Sequence, residues 1–368
     1  MSRHPVIAAL LPLVLAAPLA AAQAVAPVVT APTTTAAPTA APTAAAPVAA
    51  PIAAPVAAKT APLADAVNSQ GMPAAGDSAA ISRALVRAQV LLDRRHFSPG
   101  VVDGKTGGNL RLALRSFQTA ESLPVNGKLD SATWDKLVAG DAAPVIGSYT
   151  ITAEDVAGPF AAPVIPGDYA TMAERPNMTW TSALEALAEH THMDEALLKS
   201  MNPGVDFTTA GTVILVAETS RGALPGVASI IVDKSHGDLT AMDAAGKIVA
   251  VYPATVGSSE RPAPSGTWAV RTVAPAPSYT FDPSRLTFKA RGNGPNVKLT
   301  IKPGPNNPVG STWIDLTRDT YGIHGSPDPR MIGKAQSHGC VRLTNWDAHE
   351  LALAVKAGTK VVFNGAAR

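Results

Sequence analysis

Residues 23–76 consist mostly of alanine, proline, threonine and valine, and a proline recurs every four to seven residues between Pro27 and Pro62. A segment with few large side chains and no polar–apolar periodicity cannot bury a core. We therefore predict a disordered, extended spacer over residues 23–76, and the folded domains must be built from the residues that follow. The many alanines of this segment also raise the hydrophobic content of the chain to 46%, so that percentage says little about the size of the core.

The first residues predict export. A short basic start is followed by an apolar run over residues 6–19, and three alanines precede Gln23. This order is typical of a cleaved signal peptide, which we assign to residues 1–22. An uncleaved anchor is the alternative, but the run is shorter than the about 20 residues that span a bilayer and is interrupted by two prolines. We expect an exported protein of the periplasm or cell wall, with no transmembrane segment after signal cleavage.

Residues 77–140, called the helical domain below, carry apolar residues at helical spacing. We expect a first helix with Ser78 as its N-cap, a glycine turn, a second helix, another glycine turn, and a third helix over residues 131–137. The residues that characterise this pattern are Gln89, Leu92, Val102-Asp103-Gly104, Leu114, Phe117, Gln118, Leu123, Asn126-Gly127 and residues 133–137. With them the pattern resembles the peptidoglycan-binding domain family; a generic three-helix module is the alternative.

Residues 141–225, the middle module, predict a helix near Ala183–Ala188, a second short helix at Met193–Met201 and a strand at Val213–Val216. This order is similar to the LysM fold, but the opening strand and the usual glycine–aspartate turn are not evident, so a linker is the alternative. His190 and His192 invite a metal site. Without further ligands nearby, two histidines are more often surface or capping residues.

Residues 226–364, the β domain, contain short apolar strands separated by glycine turns, which favours a β-sandwich or barrel. A helix over residues 345–357 and a closing strand over residues 360–363 complete this domain. The expected fold class is therefore multidomain: a mainly β domain preceded by a small three-helix domain and a LysM-like α/β segment.

Cys340 is the only cysteine of the chain, so an internal disulfide is impossible. It pairs with another chain, is buried and inert, or reacts. A histidine sixteen positions upstream, His324, offers a base for a thiol nucleophile. A backbone carbonyl near Gly325 is our candidate for orienting that base, and the N–H groups of Gly339 and Cys340 for stabilising an oxyanion. A zinc site of His324, His338 and Cys340 is a weaker alternative, because a fourth ligand is missing.

These residues resemble the signature of the L,D-transpeptidase family, also called the YkuD domain. The match is His324-Gly325 followed by residues 337–343, Ser-His-Gly-Cys-Val-Arg-Leu, with support from residues 264–266 and 304–310. The resemblance implies a β-sandwich-like domain, Cys340 as acylated nucleophile, and His324 as general acid and base. It also implies a substrate site lined by Ser337, His338 and Arg342. Arg342 is suited to a substrate carboxylate or, equally, to a structural ion pair.

The implied reaction is acyl exchange on peptidoglycan stem peptides through a Cys340 thioester. An amine of another stem gives a 3→3 cross-link, a lysine of an envelope protein gives an anchored protein, and water makes the enzyme an L,D-carboxypeptidase. A non-catalytic peptidoglycan-binding scaffold is the alternative outside enzymes. The net charge of +2 does not suggest nucleic acid as a partner. No phosphate loop, metal cluster or dinucleotide fingerprint is present in the sequence, so we expect no cofactor.

Overall fold

The structure is a computed structural model that describes residues 54–257, 263–285, 297–334 and 339–365; the side chains of residues 54–60 and 285 are not included. The predicted signal peptide and most of the predicted spacer lie outside these residues. In the described part, none of the helices combines the length and the apolar character needed to cross a bilayer.

The described helices, in chain order, are α1 (Ala54–Asn68), α2 (Ser78–Arg94), α3 (Gly108–Ala120), α4 (Ser131–Val138), α5 (Ala153–Ala157), α6 (Tyr169–Glu174), α7 (Ala183–His190), α8 (Glu195–Met201) and α9 (Asn345–Ala354). The described strands are β1 (Ile146–Thr150), β2 (Val213–Ala217), β3 (Ser229–Asp233), β4 (Asp238–Met242), β5 (Ile248–Pro253), β6 (Thr255–Val256), β7 (Gly266–Pro275), β8 (Tyr279–Phe281), β9 (Leu299–Ile301), β10 (Thr312–Leu316), β11 (Gly322–His324), β12 (Val341–Arg342) and β13 (Lys360–Asn364).

Part of the predicted spacer is folded, since α1 covers residues 54–68. Alanine has a high helix propensity, so an alanine-rich stretch can become helical where it packs against a core. Ala64 and Val67 are buried in the same core as α2 and β2. The Asn68 side chain accepts from the backbone N–H groups of Val145 and Ile146 and donates to the Ile146 carbonyl. The prediction of disorder is therefore wrong for this helix.

The helical domain has the predicted three helices, and its two glycine turns are held by the same device. The amide oxygen of buried Gln89 accepts from the backbone N–H of Gly104 at 2.8 Å, and that of buried Gln118 accepts from Gly127 at 2.8 Å. In each turn, one glutamine side chain from a helix thereby accepts a hydrogen bond from a backbone N–H group that would otherwise lack a partner. The predicted N-cap was one residue off, because the carboxylate of Asp77, rather than Ser78, accepts from the N–H of Ala80.

The middle module has an opening strand that the sequence pattern did not reveal. β1 pairs antiparallel with β2 from Ile146↔Ala217 to Thr150↔Val213. The helices α7 and α8 lie between these strands in sequence, after an inserted segment that contains α5 and α6. Buried Asn202 joins the end of α8 to β2, because its amide donates to and accepts from the backbone of Leu215. The module is thus a β-helix-helix-β unit with an insertion.

The β domain is built on a nine-stranded sheet of order β5-β4-β3-β13-β7-β10-β11-β12-β6. The long strand β7 joins its two halves, since its first residues pair with β13 and its later residues pair with β10. One core contains side chains from both halves and from α9, which shows that the sheet folds over itself. This confirms the predicted barrel-like, mainly β domain.

The three folded parts belong to one compact unit, which spans residues 50–368. The chain after α2 runs beside β5, where the Ser98 N–H donates to the Val251 carbonyl at 2.9 Å. At the junction, the guanidinium of Arg221 pairs with three carboxylates and is only 6% exposed. These carboxylates come from α2 and α9: Asp93, Asp347 and Glu350.

Candidate active site

Two adjacent parallel strands carry the catalytic candidates. In the β11–β12 pair, His324 is the register partner of Arg342. Cys340 directly precedes β12, two residues before Arg342. His324 thus lies on the strand next to the one that begins directly after Cys340, although the two residues are sixteen positions apart in the chain.

The geometry of His324 determines its tautomer. Its Nδ1 lies 2.7 Å from the carbonyl oxygen of Gly325, and because a carbonyl can only accept, Nδ1 carries the proton. The Nε2 atom is then the basic nitrogen. The imidazole also stacks on the indole of Trp313, with ring centroids 5.3 Å apart. The ring is held on one side by a hydrogen bond and on one face by an aromatic plane.

The environment keeps His324 neutral. The side chain is buried, and burial lowers its pKa from 6.5 to about 3, with the positive charge of Arg342 acting in the same direction. Hydrogen bonds with the backbone of Gly325 and Val309 oppose these effects. A neutral imidazole that carries its proton on Nδ1 can accept a second proton on Nε2, as a general base for a thiol does.

The Cys340 thiol is partly exposed, and its Sγ lies 3.8 Å from the carbonyl oxygen of Thr320, within reach of a weak S–H hydrogen bond. Gly339, just before it, has a φ of +111°, which favours glycine. A Cβ on Gly339 would lie 3.0 Å from the ring of Tyr321, so a side chain would also be crowded there. The cysteine is presented beside a tight backbone turn.

The backbone that orients His324 is supported by Asn345, the first residue of α9. Its Oδ1 accepts from the N–H of Ser311 at 3.1 Å. A Cβ on either Gly310 or Gly325 would lie 2.2 Å from that same oxygen, so neither position has room for a side chain. Asn345 therefore determines how closely the Gly325 peptide approaches the start of α9.

Arg342 has no carboxylate partner among the described residues, and its Nε is buried without a hydrogen bond there. A buried polar atom of this kind is normally paired. The structural ion pair considered above is thus not formed in the described part of the chain.

The other residues predicted for the site are distributed as follows. Ser337 and His338 lie outside the described residues. His190 packs edge-on against Trp180, and His192 stacks on Trp346 while its Nδ1 lies 2.9 Å from Asp93. Both histidines thus engage protein groups. They line a cavity of about 670 Å³ between the middle module and α9, which includes neither Cys340 nor His324.

Sequence reasoning missed Trp313 and Asn345. Trp313 reaches His324 only because β10 and β11 pair in the register Trp313↔His324. Asn345 follows Thr344, the N-cap of α9, and the sequence signal at that place indicates only the start of a helix. Neither contact has a local signature.

Together these features place a candidate cysteine–histidine pair on adjacent strand segments of a folded-over β-sheet. The family model of the YkuD L,D-transpeptidase catalytic domain matches residues 228–363, and the model described as "Putative peptidoglycan binding domain" matches residues 83–137. "Putative L,D-transpeptidase YqjB" of Bacillus subtilis (strain 168) is 30% identical over 145 residues, which are 38% of this chain and 72% of that relative. The chain therefore belongs to the L,D-transpeptidase family.

Other relatives are matched over smaller shares of their own length. "Probable L,D-transpeptidase YbiS" of Escherichia coli (strain K12) is 29% identical over 188 residues, 50% of this chain and 60% of that protein. A YkuD protein of Bacillus licheniformis, named "Putative L,D-transpeptidase YkuD", is 45% identical over 76 residues, 21% of this chain and 45% of that relative. The chain thus spans about half the length of these two relatives. A solved L,D-transpeptidase 3 of Mycobacterium tuberculosis is 19% identical with a TM-score of 0.31, over 42% of this chain and 67% of that one.

Proposed function

We propose that this protein is a cell-wall L,D-transpeptidase that forms a thioester between Cys340 and a peptidoglycan tetrapeptide stem and transfers the stem to an amine. The observation that carries this proposal is the neutral, buried His324, held through Nδ1 by Gly325, on the strand next to the one that begins after Cys340. A fixed tautomer with a basic Nε2 beside a thiol is the arrangement that nucleophilic acyl transfer requires. Membership in the family supports the same reaction.

In the acylation half of the reaction, Nε2 of His324 accepts the Cys340 thiol proton as Sγ attacks the carbonyl of the third stem residue. The backbone N–H groups of Gly339 and Cys340 are the proposed donors to the oxyanion. When the intermediate collapses, the bond to the terminal D-residue breaks, and His324 returns its proton to the leaving amine. A thioester and a free D-amino acid remain.

In the second half, an acceptor amine attacks the thioester and His324 takes its proton, so that an amide forms and the thiol is regenerated. A side-chain amine of a second stem gives a 3→3 cross-link, and a lysine of an envelope protein gives an anchored protein. Arg342 is the proposed contact for a carboxylate of the stem, which is supported by its buried Nε, an atom without a hydrogen-bond partner among the described residues. Ser337 and His338 are proposed to line the same site.

The rest of the chain fits a protein that works on the wall. We propose that the helical domain binds peptidoglycan, in keeping with its family match, and that the middle module is LysM-like. The N-terminal residues are proposed to direct export to the periplasm or cell wall. The proposed boundaries are residues 1–22 for the signal peptide, 77–140 for the helical domain, 141–225 for the middle module and 226–364 for the β domain.

The test is intact-protein mass spectrometry of the mature chain mixed with a disaccharide-tetrapeptide. We expect a mass gain on Cys340 with release of one D-alanine, and no gain for Cys340→Ala. Adding an acceptor stem should give a cross-linked dimer, whereas a tripeptide alone would identify an L,D-carboxypeptidase. Folded, reduced protein that forms neither adduct nor product would instead identify a non-catalytic scaffold.

A further inference from the structure

Glu189 is a buried carboxyl group of α7 that reaches from the middle module into the β domain. It is 8% exposed, and its two oxygens lie 3.2 and 3.3 Å from the amide nitrogen of Asn345. The indole N–H of Trp180 donates to it at 3.1 Å. Buried carboxyl groups are costly unless they are hydrogen-bonded, so this group has a defined structural partner on each side.

The amide of Asn345 transmits this contact to the backbone around the base. Its nitrogen also donates to the Pro305 carbonyl at 3.2 Å, while its oxygen accepts from Ser311 and contacts Gly325. With the nitrogen held by Glu189 and Pro305, the amide cannot flip without losing these bonds. Its oxygen is thereby fixed against the peptide whose carbonyl accepts from His324.

We propose that Glu189 is a positioning residue for His324, contributed by the middle module and acting through Asn345 and the Gly325 peptide. The inference rests on the proposed function, in which His324 is the general base. Glu189 touches neither substrate nor the reacting atoms. Its role is to hold Nδ1 of the imidazole protonated and Nε2 directed for proton transfer.

The charge of Glu189 provides a readout of this role. Burial raises its pKa to about 7, and Glu185 on the same helix acts in the same direction, whereas hydrogen bonds from Trp180 and Asn345 oppose the rise. Because Asn345 donates to it, the ionised carboxylate is the better partner. As the pH falls through about 7, the support of Asn345 should weaken.

Other charged groups line a small cavity of about 50 Å³ beside Glu189 and belong to the same electrostatic environment. They come from α7, from the start of α8, and from the turn after β11: Glu185, Asp194, Glu195, Asp328 and Arg330. Asp328 and Arg330 pair with each other at 3.0 Å. None of these groups lies between Glu189 and Asn345, so a substitution of Glu189 tests the proposed path directly.

The experiment compares the mature full-length protein with Glu189→Gln and Glu189→Ala, and uses Glu174→Gln, an exposed glutamate of the middle module, as matched control. Circular dichroism and melting first establish that each variant folds. The rate of Cys340 acylation by the tetrapeptide is then measured from pH 5.5 to 9. The ring nitrogens of His324 are observed in parallel by ¹⁵N NMR, which does not depend on activity.

We expect acylation to slow about tenfold to a hundredfold in Glu189→Ala, as for a displaced catalytic group. Glu189→Gln should be affected less and should lose the step in the pH profile near 7. In both variants, the Nδ1–H signal of His324 should shift or give way to a mixture of tautomers. Glu174→Gln should match the wild type in every measurement.

Two outcomes would overturn the proposal. The first is wild-type His324 signals in both folded variants, whatever happens to the rate, because a lost rate alone reports a structural role. The second is a rate of Cys340 acylation in Glu189→Ala that stays within twofold of the wild-type rate over the whole pH range. If the wild type itself is never acylated, the proposed function fails, and the NMR comparison still decides whether Glu189 positions the histidine.

Discussion

The burial of neutral His324 predicts a specific loss of stability in mild acid. The unfolded chain binds a proton to this histidine near pH 6.5, whereas the folded protein binds one only near pH 3. A histidine with a lowered folded pKa contributes no penalty above pH 6.5. Below it, the unfolded state gains a proton that the folded state lacks, so stability falls until about pH 3.

The magnitude follows from the size of the shift. Between pH 6.5 and about pH 3, each pH unit lowers the unfolding free energy by about 1.4 kcal/mol. Lowering the pH from 7.5 to 5.0 should therefore reduce the unfolding free energy by roughly 2 kcal/mol through His324 alone. Below about pH 3, the whole difference between the unfolded and folded pKa of His324 corresponds to roughly 5 kcal/mol of unfolding free energy. Other groups also titrate over this range, and a variant is needed to isolate the contribution of this histidine.

The assay is urea unfolding at pH 7.5 and 5.0 of the wild type and His324→Gln, followed by tryptophan fluorescence and circular dichroism. The wild type should lose roughly 2 kcal/mol more of its unfolding free energy than the variant between the two pH values. His349→Gln removes an exposed histidine that stays in water on folding, and it should behave as the wild type. A pH dependence in His324→Gln equal to that of the wild type would refute a buried, neutral base.

Three further substitutions test the junction and the site. Arg221→Met should lower the unfolding free energy in urea by about 3–5 kcal/mol, because it leaves buried carboxylates without their cation, whereas Arg271→Met at an exposed pair should change little. Asn109→Ala removes a 3.0 Å hydrogen bond to the Ile332 carbonyl, and acylation of Cys340 should slow roughly fivefold while binding to isolated peptidoglycan is unchanged in a pull-down. Arg342→Gln should lower kcat/KM for a tetrapeptide about 10- to 100-fold, with a smaller loss for a substrate amidated at the contacted carboxylate; equal losses for both substrates would contradict the proposed contact.

Much of the fold could be predicted because its signals are local. The helices of the helical domain follow from periodic apolar residues, and the closing strand predicted over residues 360–363 is observed as β13, Lys360–Asn364. The opening strand β1 was missed because it is short and pairs with a strand more than sixty residues away. The folded helix α1 was missed because its stability comes from packing on β2 and not from its own composition.

In the candidate site, too, the residues with a local sequence signal could be predicted and those that depend on tertiary contacts could not. Cys340 and His324 could be singled out because the spacing of a thiol and an imidazole around glycines is visible in the chain. The supporting contacts are non-local: Trp313 depends on strand register, and Glu189 reaches Asn345 across 156 positions. From sequence alone, a glutamate on a helix is expected to face solvent, and only the structure shows that Glu189 is buried against the start of α9.

The segment from Ile332 to Asn345 carries the cysteine, and each of its ends is held by a different N-terminal module. Asn109 of the helical domain donates to the carbonyl of Ile332 at one end, and Glu189 of the middle module accepts from Asn345 at the other. A module joined only by a flexible tether would affect how often the thiol meets its substrate but not the geometry around it. Here the helical domain contacts the backbone at Ile332, and the middle module contacts the side chain of Asn345. Because both modules share one compact unit with the β domain, we expect substitutions at these two contacts to change the acylation of Cys340 and not only the encounter with substrate.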